Sequence, residues 1–121
     1  MQRETIMGSV VQPELAEAMQ KMWEKFLPQI EARISVLEDA AAALAADLLS
    51  LEQRAAANAA AHKLAGVLGS FGLTKGTILA REIEIAYSGE PETDPADSHQ
   101  LLESTHRLRT LVEASKSTVK G

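Results

Sequence analysis

The chain has 121 residues, 45% of them apolar, with only one Trp, one Tyr and two Phe, so it can form one domain whose core must come from aliphatic side chains. A formal net charge of −5 lacks the basic face that nucleic-acid phosphates require. The absence of cysteine removes disulfides, thiolate metal sites and cysteine nucleophiles, and no apolar run is long enough to span a bilayer. With no leader-like segment, the reading expects a cytoplasmic chain without membrane insertion.

Residues 1–12 show no period and are expected to form a flexible arm. Pro13 suits a first helical turn, and Leu15, Met19, Met22, Trp23 and Phe26 follow at helical spacing. Pro28 should break this helix at Leu27. A second helix is predicted from Pro28 to Ala46, with Ile30, Ile34, Leu37 and Leu44 as its buried stripe. After a connection at 47–49, Ser50 and Gln53 have the spacing of a capping box that opens a third helix, ending near Ser70 where Gly69 and Gly72 favour termination. Thr74 is expected to cap a fourth helix carrying Ile78, Leu79, Ile83, Ile85 and Ala86, stopped by Gly89. Asp94-Pro95 should start a fifth helix with Leu101, Leu102, Leu108, Leu111 and Val112. The fold expected is an all-α, antiparallel up-down-up-down four-helix bundle with an additional N-terminal helix, over 13–116, followed by a flexible tail at 117–121.

The third helix holds the most informative stretch, Ala61-His62-Lys63-Leu64-Ala65-Gly66-Val67-Leu68-Gly69-Ser70-Phe71-Gly72. At about 100° per residue, the neighbours of His62 on its own face are Ala55, Asn58, Ala59, Ala65, Gly66 and Gly69, none able to bury an imidazole. Leu64, Leu68 and Phe71 fall on the opposite side. Each helical glycine costs about 1 kcal/mol relative to alanine, so a close approach from outside is the physical reason to keep Gly66 one turn from His62.

The string His62-x-Leu64-x-Gly66, with Gly72 beyond it, resembles the histidine-containing phosphotransfer (HPt) family, as do Gly69-Ser70-Phe71-Gly72-Leu73 and Ala80-Arg81-Glu82-Ile83-Glu84. The resemblance covers residues 20–115 in helix order and is sharpest over 58–86. It implies that His62 is the phosphoacceptor, exchanging a phosphoryl group with the aspartate of a response-regulator receiver domain or taking it from a histidine kinase. The chain would then be a monomeric phosphocarrier with no turnover of its own, binding no cofactor, with Mg²⁺ on the partner receiver. Lys63, Gly66 and Glu84 are the supporting candidates, Glu84 as a hydrogen-bond acceptor for Nδ1–H, and Asn58, Ala59, Ala65 and Gly69 the docking surface. Ala65 departs from the family pattern, where lysine is common. The alternative is a helical adaptor that docks receivers without accepting phosphate. A dimerising kinase hairpin would need two long helices only. His99, Glu103 and His106 share a face, but the two histidines lie about 10.5 Å apart along the axis, so no metal site is expected.

Overall fold

The computed structural model describes residues 13–89 and 98–120, with side chains at 14–89 and 98–116. The expected arm at 1–12 and the Asp94-Pro95 helix start lie outside these residues. Four helices follow one another: α1 (Pro13–Ala45), α2 (Leu51–Ser70), α3 (Thr74–Ala86) and α4 (Ser98–Lys120). Each touches its two neighbours in a closed ring, α1–α2–α3–α4 and back to α1, which is the expected four-helix bundle. Trp23, Ile30, Ile34 and Leu37 of α1 meet Leu64 and Leu68 of α2, Ile83 of α3, and Leu108 and Val112 of α4 in the core. Burying each of these large side chains stabilises the fold by about 1.5–3 kcal/mol before conformational entropy is set against it.

The break expected at Leu27 does not occur, and the two helices predicted there are one 33-residue helix with Pro28 inside it. Pro28 lacks the N–H that would bond the Glu24 carbonyl, but both residues are exposed, so water can satisfy that carbonyl. Trp23, Ile30, Ile34 and Leu37 remain in phase across the proline, and their burial outweighs its cost. The apolar residues before Trp23 correct the sequence reading in another way: Leu15, Met19 and Met22 are exposed. Arg109 reaches Glu38 and Lys116 reaches Glu31, an antiparallel register that sets the end of α4 level with roughly residue 27. On the other side, Phe71 at the end of α2 stacks edge-on against Trp23, with ring centroids 5.1 Å apart. The first turns of α1 therefore overhang both neighbours.

The α2 start is as expected: the Ser50 hydroxyl accepts from Gln53 N–H at 3.0 Å, and the Gln53 side-chain oxygen accepts from Ser50 N–H at 3.2 Å. Gly72 takes the left-handed turn conformation, φ 75°. Thr74 is the first residue of α3 rather than its cap; Gly72 places half-buried Leu73 at the N-cap, with no side-chain bond. On α3 only Ile83 of the expected apolar residues is fully buried, while Ile78 and Ile85 face out; Ala80, which was not singled out, is buried as well. Gly76, which the sequence reading passed over, sits where α2, α3 and α4 meet. A Cβ there would come within 2.9 Å of Leu111 and 3.0 Å of Leu68. The α4 backbone stays helical to Lys120, beyond the boundary expected at 116.

Polar groups tie α1 to α4. Arg109 donates to both carboxylate oxygens of Glu38, at 3.0 and 2.8 Å, and to the Ser35 hydroxyl at 3.2 Å. The Arg109 guanidinium holds the Glu38 carboxyl below its ordinary range. Thr105 and Ser115, both buried, return their hydroxyls to carbonyls four residues back.

Candidate functional site

The capping box fixes where α2 begins and therefore which residues face outward. Ala55, Ala59, His62, Gly66, Gly69 and Ser70 form one exposed stripe, while Ala57, Ala61, Leu64 and Leu68 face the core. The His62 side chain is 67% exposed, at the centre of that stripe. Its Nδ1 lies 2.8 Å from a carboxylate oxygen of Glu84, which reaches across from the last turn of α3 and is itself only 24% exposed. In the neutral ring this contact favours the tautomer with the proton on Nδ1, donating to Glu84. Nε2 then carries the lone pair and is the ring atom available to an electrophile.

Gly66 is exposed one turn further along, and a Cβ built on it meets no atom within 4 Å. The fold does not need a glycine there, so the open space beside His62 faces outward. Ala59 is exposed as expected. Gly69 is exposed too, although an added Cβ would lie 3.3 Å from the Thr77 hydroxyl. Lys63 is exposed, with no hydrogen bond or ion pair to the described residues.

Two expected docking residues take other places. Ala65 is 1% exposed, turned against α3, and its carbonyl accepts from the Thr77 hydroxyl at 3.1 Å. It lies about 60° round the helix from His62, on the side that α3 covers. Asn58 is half-buried, and its amide donates to the Glu84 carbonyl at 2.8 Å. One turn before it, buried Arg54 donates from Nε to the Tyr87 carbonyl at 3.2 Å. This Arg54 contact was not anticipated from the sequence. Its signal was position alone: residues 54, 58 and 62 are the polar members, four apart, of an alanine-rich helix face. Their acceptors, two of them backbone carbonyls, are not visible in a side-chain pattern.

Among the described residues the ring contacts the Glu84 carboxylate, and most of its surface is open to solvent. His99, Glu103 and His106 are all exposed on α4, and no three metal-ligating side chains converge among the described residues. No described helix is long and apolar enough to cross a membrane.

Similarity to known proteins agrees with this geometry. The family model described as Hpt domain matches residues 21–118. Protein RcaC of Microchaete diplosiphon is 32% identical over 101 residues, which is 84% of this chain and 14% of that protein, so the chain spans about one seventh of its relative. No solved structure matches the chain. The family model covers most of the bundle, and the exposed His62 falls within the matched residues: the chain belongs to the histidine-containing phosphotransfer domain family, which serves histidine phosphotransfer in two-component phosphorelays.

Proposed function

We propose that His62 accepts a phosphoryl group on Nε2 from the aspartyl phosphate of a response-regulator receiver domain and can return it. The observation that carries this is the exposed ring with its Nδ1 already engaged by Glu84 at 2.8 Å. The Nε2 lone pair attacks phosphorus, the bond from phosphorus to the aspartyl oxygen breaks, and the carboxylate leaves with that electron pair. The ring keeps its Nδ1 proton and gains positive character as the N–P bond forms. The Glu84 carboxylate, hydrogen-bonded to that proton, stabilises the developing charge.

Phosphoryl transfer passes through a loose, in-line transition state, so alignment and charge neutralisation carry most of the catalysis. In this reading the receiver brings the aspartate, a lysine and Mg²⁺, and this chain brings the nucleophile and an unobstructed face. Gly66 leaves room for the receiver loops to reach Nε2. Lys63, adjacent in sequence and exposed, adds a cation near the phosphate without direct contact in the resting domain. A kinase could load the same nitrogen. The domain acts as a cytoplasmic monomer.

The test is to incubate the chain with a phosphorylated receiver and Mg²⁺ and follow label into an acid-labile, alkali-stable form. Wild type should take label and His62→Gln should not. Equal labelling of the variant would sink the assignment. Receiver binding without any labelling of wild type would favour the adaptor instead.

A further inference from the structure

Arg54, Asn58 and His62 stand at i, i+4 and i+8 on α2, and all three reach the end of α3: the Tyr87 carbonyl, the Glu84 carbonyl and the Glu84 carboxylate. That end is where α3 has carbonyls without intrahelical partners, because the helix stops at Ala86. The donor that would normally serve the Glu84 carbonyl, the Ser88 N–H, bonds the Ile85 carbonyl instead at 3.1 Å. The Asn58 amide takes the vacated acceptor at 2.8 Å from a half-buried position. A last helical turn free to fray would carry the Glu84 side chain with it. Asn58 ties that turn to the helix that bears the histidine, one turn below the ring.

We propose that Asn58 is a positioning residue for His62: by holding the Glu84 backbone it fixes the carboxylate on Nδ1 and so keeps the Nε2 lone pair available. The proposal rests on the phosphoacceptor role given above to His62, but its first consequence needs no phosphate. Without the tether, Glu84 samples other positions and the ring loses the bias that keeps its proton on Nδ1. Asn58→Asp is the sharper variant, because it keeps size and polarity but offers a carbonyl only another acceptor.

The experiment is ¹⁵N NMR of the His62 ring nitrogens in the full chain, at a pH where the ring is neutral, for wild type, Asn58→Ala, Asn58→Asp and Glu84→Ala. Wild type should show the Nδ1–H tautomer in excess. Both Asn58 variants should shift the ratio toward Nε2–H, part of the way to Glu84→Ala. Transfer from a phosphorylated receiver should slow by about 2- to 10-fold, the effect of one neutral hydrogen bond. In the Glu84→Ala background, Asn58→Ala should add nothing to either readout, since its action runs through Glu84. An unchanged tautomer ratio in folded Asn58 variants overturns the proposal, as does a full additional loss in the Glu84→Ala background. A wild type that shows the tautomer bias yet takes no phosphate refutes the phosphoacceptor role while leaving the tether standing.

Discussion

Gly66 offers a test in which stability and transfer should move in opposite directions. It lies inside α2, one turn from His62, with nothing within 4 Å of a built Cβ. Gly66→Ala therefore meets no steric cost, and the helix gains about 0.5–1 kcal/mol from the lower conformational entropy of the unfolded chain. For a domain of this size that is a rise in melting temperature of about 2–8 °C. Gly66→Leu should also fold, since its side chain projects into solvent. Neighbours four apart on a helix have Cβ atoms about 5–6 Å apart, so the leucine would stand beside the ring where the receiver must come in line with Nε2. A misplacement of about 1 Å can cost roughly 100-fold in such a step. Thermal unfolding followed by circular dichroism gives the first quantity and single-turnover transfer from a phosphorylated receiver the second. A lower melting temperature for Gly66→Ala would contradict the open space at its Cβ, and an undiminished transfer rate for Gly66→Leu would contradict its place on the docking face.

Other consequences follow from the same structure. Gly76→Ala should have the opposite sign to Gly66→Ala: overpacking against Leu68 and Leu111 exceeds the gain in helix propensity, and the melting temperature should fall by a few degrees. Glu84→Gln keeps an acceptor but removes the negative charge, so thermal stability should hold while transfer slows on the order of tenfold, measured by single-turnover labelling. Tyr87 is the single tyrosine, and burial pushes its hydroxyl up to about 12. Its folded value is raised above the ordinary 10, so its contribution is complete below pH 10 and is lost as pH rises from about 10 to about 12. Absorbance of tyrosinate near 295 nm should therefore rise well above pH 10, or together with alkaline unfolding. The Glu38 carboxyl is lowered mainly by its Arg109 hydrogen bonds, so its contribution is present above pH 4.5 and is lost as pH falls through the folded value. Because the pair is partly exposed, Glu38→Gln should cost at most about 0.5 kcal/mol by denaturant unfolding at neutral pH.

The bundle was legible because aliphatic residues recur at helical spacing in each segment and because Ser50 with Gln53 spells out a helix start. The exposure of His62 was legible because its neighbours on the helix are small. The errors have physical sources. Pro28 reads as a break locally, yet the stripe from Trp23 to Leu37 decides the matter through burial that no local rule counts. Leu15, Met19 and Met22 carry the period of a buried face, but how far α1 overhangs its neighbours depends on the register between helices. Ala65 and Asn58 fall within the arc around His62 on a helical wheel, and α3 covers that arc on one side only. Glu84 came from the family likeness; its 2.8 Å contact with Nδ1 is a property of the α2–α3 register. Gly76 carried a propensity cost as a signal, but the leucines that require it come from two other helices.

The proposed function turns on one atom, Nε2 of His62, as the phosphoryl acceptor. Phosphorylating ¹⁵N-histidine-labelled chain with a receiver and Mg²⁺, then reading phosphorus–nitrogen coupling by NMR, addresses that atom directly. A single N–P coupling is expected, assigned to His62 Nε2, with Nδ1 still protonated toward Glu84. Phosphorus on His99, on His106 or on Nδ1 of His62 would contradict it.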